Sequence, residues 1–158
     1  MSEADIEMLI EAKPFAKGTA RHAYRMKSDP NSIVKKSVQP RNYSNFLEWT
    51  IWLGSETHPQ LENVLGRCHC LSITGQYLIM ERLDDIEKAD YRLIPDIPAW
   101  CNDTKPSAFG KRNGVIKIRD YGMVRFSDLL NQSLVKPPAF ALSARTQALI
   151  DDAKRGCQ

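Results

Sequence analysis

The sequence has few cysteines, no long apolar run and only a small excess of positive charge. Its four cysteines are too few and too irregularly spaced for a disulfide framework. No apolar run approaches the roughly 20 residues that cross a bilayer. The acidic N-terminus also lacks the basic and apolar regions of a secretory signal. We therefore expect a cytoplasmic protein without a membrane segment.

Metal and nucleic-acid binding have little support in the sequence. The tripeptide Cys68-His69-Cys70 lacks the second Cys/His pair that four-coordinate zinc needs. Alternation along a strand would also turn His69 away from the two cysteines, so we expect buried strand cysteines instead. The net charge is +3. The basic residues are scattered and not interleaved with aromatics, so we do not expect a nucleic-acid partner.

The order of apolar patterns and turns predicts an α+β fold with a mostly antiparallel sheet. Asn42 or Ser44 can cap a central helix that runs to about Ser55, and Asn113-Gly114 suits a type I′ hairpin turn. Besides this central helix, the expected helices cover residues 3–12, 126–132 and 143–156. The expected strands lie within residues 15–26, 33–36, 63–73, 76–83 and 108–119, and residues 84–101 form a loop with at most a short helix.

Several of these segments resemble, in the same order, the signature of the protein-kinase-like superfamily. "AKGTARHAY" is similar to the glycine-rich strand-turn-strand, with Gly18 retained and Arg21 at an outer glycine position. "SIVKKS" resembles the strand whose lysine grips phosphates, which implies Lys35. Lys36 is the alternative, because adjacent strand residues face opposite sides. Glu48 lies where the helix glutamate of the family pairs with that lysine.

The second half of the chain continues the resemblance. "QYLIMERL" is similar to the strand that enters the nucleotide hinge, which implies Met80 as gatekeeper and backbone contacts to adenine from Glu81 to Leu83. "DTKP" resembles the catalytic loop, so Asp103 would orient the acceptor hydroxyl and Lys105 would neutralise the transferred phosphoryl group. Asp120-Tyr121-Gly122 resembles Asp-Phe-Gly, which implies that Asp120 holds magnesium.

Two departures from the family pattern limit what the resemblance implies. Ala108 stands where the family has a second metal-ligating asparagine, and a methyl group cannot coordinate magnesium. The chain would then use one metal, bind nucleotide without efficient chemistry, or carry an introduced substitution. About twenty residues separate the hinge from Asp103, which is too few for the usual supporting helix, and no Ala-Pro-Glu element follows Gly122. Compact bacterial or phage kinase-like proteins, including the YrbL-type group, have a similarly abbreviated layout.

The resemblance implies one kinase-like domain over residues 1–158. Residues 14–83 would form a nucleotide-binding lobe with an antiparallel sheet and one central helix, and residues 84–158 an abbreviated helical catalytic lobe. The expected function is a minimal Ser/Thr protein-kinase-like phosphotransferase that uses ATP and magnesium on a protein substrate. The alternatives are a pseudokinase that binds nucleotide or a regulatory protein partner, with tryptophans of the central helix exposed for that partner, and an unrelated α+β protein. The kinase-like interpretations require Lys35, Glu48 and Asp120 to converge on one cleft.

Overall fold

A five-stranded antiparallel sheet forms the centre of the molecule, in the strand order β1-β2-β3-β5-β4. The computed structural model describes residues 1–39, 42–128 and 133–137. The strands of this sheet are β1 (Ala16–Lys17), β2 (Arg21–Arg25), β3 (Ser32–Ser37), β4 (Cys68–Leu71) and β5 (Tyr77–Glu81).

Three α-helices accompany the sheet: α1 (Glu3–Leu9), α2 (Ser44–Ser55) and α3 (Pro59–Glu62). Ser2 caps α1 through a capping box with Asp5. The predicted cap of α2 is wrong in position, because Tyr43 is the N-cap residue and makes no side-chain cap. Asn42 lies one residue before this N-cap, and its side chain accepts a hydrogen bond from the Ser44 amide at 2.9 Å.

The two faces of the sheet bury different clusters, as the alternation of side chains along a strand requires. On one face, Ile6 and Ile10 pack with Val34, Tyr77 and Ile79. On the other face, a larger core includes Ile33, Leu78 and Met80, with α2 packed against it through the half-buried Trp49 and Trp52. The prediction that these tryptophans are exposed is therefore wrong, because the core covers them.

The hairpin that follows the sheet is confirmed, with β7 (Phe109–Arg112) paired to β8 (Val115–Ile118). Its turn residues Asn113 and Gly114 have φ of 51° and 79°, the positive values that a type I′ turn needs. Residues Lys88–Leu93 form a short 3₁₀ helix in the segment predicted as loop.

The short strands β6 (Ile97–Pro98) and β9 (Leu134–Val135) pair with each other, which the sequence patterns did not predict. Residues Phe126–Asp128 form a 3₁₀ turn where a helix is predicted over 126–132. The rest of that segment, and the helix predicted over 143–156, lie outside the described residues. No helix in the described ranges is long and apolar enough to cross a membrane.

Candidate functional site

A cleft of about 450 Å³ opens between the β1–β2 turn, the end of β5 and the segment around residues 105–120. Seven basic and three acidic side chains line it, so its field favours an anionic ligand. The basic residues are Lys17, Arg21, Arg25, Lys35, Arg82, Lys105 and Arg119, and the acidic residues are Asp84, Asp85 and Asp120.

Lys35 enters this cleft from β3 and forms an ion pair with Glu48 of α2. Its Nζ lies 3.0 Å from Oε1 and 2.9 Å from Oε2 of Glu48, and it also donates to the carbonyl oxygen of Arg119. Lys36 points to the opposite face, where it pairs with Glu7 at 3.0 Å. Period-two alternation therefore separates the two lysines, and only Lys35 reaches the cleft.

Glu48 is the most heavily bonded acidic side chain of the site and is fully buried. Besides the lysine, its Oε1 accepts hydrogen bonds from the backbone amides of Tyr121 and Gly122, both at 3.1 Å. A buried carboxylate is costly unless opposite charges and hydrogen bonds satisfy it, and these donors do so. Glu48 thereby ties α2 and β3 to the Asp-Tyr-Gly segment.

Gly122 fits this arrangement because a side chain would collide with the start of α2. A Cβ at this position would lie 2.7 Å from the carbonyl oxygen of Ser44, and real Cβ contacts are longer. The absence of a side chain lets the loop backbone reach the helix and place its amide on Glu48. The glycine of the Asp-Tyr-Gly segment is thus explained by packing.

Arg21 stands at a glycine position of the family motif, and no role is predicted for it from the sequence. In the structure its side chain lies in the middle of the site. Its Nη2 donates to Glu48 at 3.0 Å and to Asp120, and its Nη1 donates to Asn45 at 3.2 Å. The alternation of side chains along β2 could have identified Arg21 as a residue of the site. Ala23 pairs with Lys35 across β2 and β3, so Arg21, two residues earlier, faces the same side.

Asp120 follows β8 and lines the cleft, with about 37% of its side chain exposed. Burial raises the pKa of this carboxyl, but the positive charges of Lys35 and Arg21 outweigh burial and hold the pKa below its ordinary value. The same two carboxylates, Glu48 and Asp120, raise the pKa of Arg21 despite burial, which acts in the opposite direction. Asp120 and Arg21 therefore keep their charges near neutral pH.

Asp103 and Lys105 form a second ion pair at the cleft margin, with Lys105 Nζ 2.9 Å from Asp103 Oδ2. This hydrogen bond raises the pKa of Lys105. Lys105 lines the cleft and is largely exposed, whereas the Asp103 carboxylate is mostly buried beside it. Lys105 is therefore open to a group entering the cleft, whereas Asp103 is not among the lining residues.

The remaining predicted residues divide into two groups. Gly18 and Leu83 line the cleft. The Met80 side chain is fully buried in the core, and Glu81 pairs with Lys117 at 3.0 Å. The proposed contacts to adenine involve backbone groups of this segment and stay a prediction.

The carboxylate predicted to hold magnesium, that of Asp120, already pairs with a cation in the structure. Magnesium takes oxygen ligands, usually one or two carboxylates together with phosphates and water. The Asp120 carboxylate is held by Arg21. Ala108 offers no side-chain oxygen, and its carbonyl already accepts bonds from the amides of Arg119 and Asp120. Within the described ranges, no cluster of three or more metal-ligating side chains exists.

Comparisons with known proteins find distant similarity to solved structures. No family model matches the chain, and no curated protein matches it. Among solved structures, the chain is similar to a Legionella pneumophila kinase, Lpg2603, bound to IP6, with a TM-score of 0.44 and 18% sequence identity. The match covers 72% of this chain and 48% of that chain, so this chain spans about half the length of its neighbour. The coarse fold prediction, an α+β protein with an antiparallel sheet, is confirmed by the structure.

Proposed function

We propose that the protein is a kinase-like phosphotransferase whose basic cleft binds the phosphates of ATP. The observation that supports this proposal best is the buried ion pair between Lys35 and Glu48 beside Asp120. A lysine held in one orientation by a buried carboxylate is preorganised for a phosphate, because its side chain loses little further freedom on binding. The excess of basic residues around it supplies the favourable field.

The other predicted residues are assigned roles by their places around the cleft. Lys35 would contact the α- and β-phosphates, the Gly18 backbone would approach them closely, and Leu83 would contact the base. Asp103 would orient the acceptor hydroxyl of a protein serine or threonine, and Lys105 would neutralise the charge of the transferred group. Phosphoryl transfer depends mainly on such positioning and charge neutralisation. Magnesium binding at Asp120 stays a prediction, and no step is assigned to it.

A second candidate is a pseudokinase, a regulatory module that binds nucleotide or a protein partner without turnover. The ion pair between Arg21 and Asp120 favours it, because the carboxylate expected to hold the metal is already neutralised. Ala108 favours it as well, since the second expected metal ligand is missing. If the second candidate binds nucleotide, it uses the same cleft as the phosphotransferase and differs from it only in lacking turnover.

Two measurements on the full chain test these candidates together. Calorimetric titration with ATP measures binding, and transfer of labelled γ-phosphate to a serine/threonine peptide library measures turnover. If the chain is a phosphotransferase, Asp103→Asn spares binding and abolishes transfer, because the residue acts on the acceptor. Binding without transfer in the unmodified chain supports the second candidate. Absence of ATP binding contradicts the phosphotransferase and the nucleotide-binding form of the second candidate, and leaves only a module that binds a protein partner.

A further inference from the structure

The guanidinium of Arg21 lies beside the residue to which the kinase resemblance assigns metal binding. It contacts the carboxylate of Asp120, the predicted metal ligand, and lies at the wall of the cleft. A guanidinium is permanently charged and binds carboxylates and phosphates through directed hydrogen bonds. It can therefore neutralise the same groups that a cation would neutralise.

Arg21 is held in this position by fixed acceptors. Asn45 is fully buried, and its amide nitrogen donates to the carbonyl oxygens of Lys35, Gly75 and Gln76 at 3.2, 3.2 and 2.8 Å. Those bonds orient its side-chain oxygen, which accepts from Arg21 at 3.2 Å. With Asn45 and Glu48 both on α2, the guanidinium is anchored before any ligand arrives.

The anchored guanidinium retains donors for a ligand. The bonds to Asn45, Glu48 and Asp120 use three of its five N–H groups. The other two have no acceptor among the residues that the structure describes. A metal ion that took the Asp120 oxygen bonded to Arg21 would displace the guanidinium and leave a largely buried charge without one partner, at a cost in free energy. Anion binding needs no such displacement.

From these contacts we infer that Arg21 acts in place of a divalent cation, so that the cleft binds the phosphates of a nucleoside triphosphate without a metal ion. This inference rests on the proposed nucleotide binding. Arg21 and Lys35 are the fixed cations at the base of the cleft, and Lys105 is the exposed cation at its margin. Together they supply the positive charge that a kinase site obtains from magnesium.

The test is calorimetric titration of the full chain with ATP in excess EDTA and in excess magnesium. The unmodified chain binds ATP in EDTA, and magnesium does not tighten the binding. Arg21→Ala weakens binding in EDTA by about 10- to 100-fold, the loss expected for charge-assisted hydrogen bonds. Magnesium then restores part of the affinity of this variant, because Asp120 is released, and Asp120→Asn in the same background removes that restoration.

Arg25→Ala is the matched control, since Arg25 lies on the same strand and lines the cleft while its guanidinium stacks on Phe15 at 5.4 Å. This variant weakens binding less and gains no magnesium dependence. Thermal melts followed by circular dichroism verify that each variant is folded. The comparison of EDTA with magnesium on the unmodified chain requires no variant at all.

The outcomes separate this inference from the proposed function. ATP binding that disappears in EDTA and returns with magnesium overturns the role of Arg21 and leaves nucleotide binding intact. Unchanged metal-free binding by the Arg21→Ala variant also overturns it. If inorganic triphosphate binds in EDTA with the same dependence on Arg21 while ATP does not bind, the cation role of Arg21 stands and the nucleotide proposal fails.

Discussion

Lys35 and Lys36 are neighbours on β3, and the structure gives them opposite environments. Lys35 has about 10% of its side chain exposed and faces a carboxylate, Glu48, that is fully buried. Lys36 has about 27% exposed and faces Glu7, which is about 55% exposed. Both pairs have nearly equal distances between nitrogen and oxygen, 2.9 and 3.0 Å. The difference between them is therefore burial and not geometry.

Burial decides what each ion pair can do. On the outer face, water screens the charges and can replace either partner, so the pair between Lys36 and Glu7 contributes little. On the cleft face, the carboxylate has no access to water and depends on its protein donors. The inner pair is thereby fixed in one arrangement, and this is the property that a phosphate-binding lysine requires.

The largest expected effect comes from neutralising Glu48. Glu48→Gln replaces a carboxylate oxygen by an amide group facing Lys35, so Lys35 loses its anion and Arg21 keeps only Asp120. We expect this change to lower the free energy of unfolding by about 3–5 kcal/mol, as when one partner of a buried ion pair is removed. Denaturant unfolding followed by circular dichroism measures it.

Glu7→Gln is the matched control on the outer face. Glu7 and its partner Lys36 are both partly exposed to water, so we expect unfolding curves that nearly superimpose on those of the unmodified chain. Equal losses for the two substitutions would show that the burial of Glu48 does not matter, and would break the comparison.

The second prediction concerns ligand binding by the two lysines. We expect Lys35→Met to weaken ATP binding by about 10- to 100-fold, because the phosphates lose a charged hydrogen bond. Lys36→Met should leave the affinity unchanged, since its side chain lies on the other side of the sheet. Calorimetry on both variants measures the difference, and a loss with Lys36→Met alone would reverse our assignment.

The third prediction uses two fully buried tyrosines, one on each side of the sheet. The Tyr121 hydroxyl donates to the carbonyl oxygen of Gly66 at 2.7 Å, within the core. The Tyr77 hydroxyl donates to the exposed Glu7. Tyr121→Phe should cost at least about 1 kcal/mol of unfolding free energy, because a buried carbonyl loses its donor.

Tyr77→Phe should cost less than Tyr121→Phe, because water can take the place of the hydroxyl on Glu7. Thermal and urea unfolding of the two variants provide the measurement. Tyr121→Phe also restores the phenylalanine of the kinase motif, so a gain in stability would indicate that the hydrogen bond to Gly66 is unimportant.

The smallest expected effect is the response to acid. The pKa of Asp120 is lowered in the folded state, so its carboxylate contributes stability above the unfolded pKa of about 3.9. This contribution is lost as the pH falls through the lower folded pKa. The pKa of Glu7 is also lowered, by hydrogen bonds from Tyr77 and Lys36, so the outer face loses stability in the same direction.

Unfolding of Asp120→Asn and of the unmodified chain should therefore differ most near neutral pH and converge below about pH 4. Glu7→Gln should show a smaller difference with the same sign. A difference for Asp120→Asn that grows as the solution becomes acidic would contradict the direction of the shift.

Local patterns predict much of this fold, while contacts distant in sequence escape them. Asn113 and Gly114 identify their turn because the positive dihedrals are a property of those two residues. The pairing of Ile97 with Val135 has no local signal, since it depends on where the intervening chain goes. The strand predicted from residue 63 begins only at Cys68, because residues 63–67 first complete the turn that leaves α3.

In the site, the motif predicts the roles of residues that match it. It does not predict the role of a residue that replaces a motif residue. The convergence of Lys35, Glu48 and Asp120 matches the expectation from residue order. The sequence does not predict a role for Arg21, because an arginine at a motif glycine position indicates only that the glycine is absent. Its charge matters only once α2 and the Asp-Tyr-Gly segment are packed around it, which no pattern within one segment reveals.

The contact between Arg21 and Asp120 joins residues 99 positions apart, and this separation has a consequence for folding kinetics. Closing so long a loop is entropically costly, so distant contacts tend to form late. A contact that forms after the rate-limiting barrier affects how fast the molecule opens and hardly affects how fast it assembles. The contact should therefore slow unfolding specifically. We expect Arg21→Ala to unfold faster in stopped-flow experiments and to refold at a nearly unaltered rate.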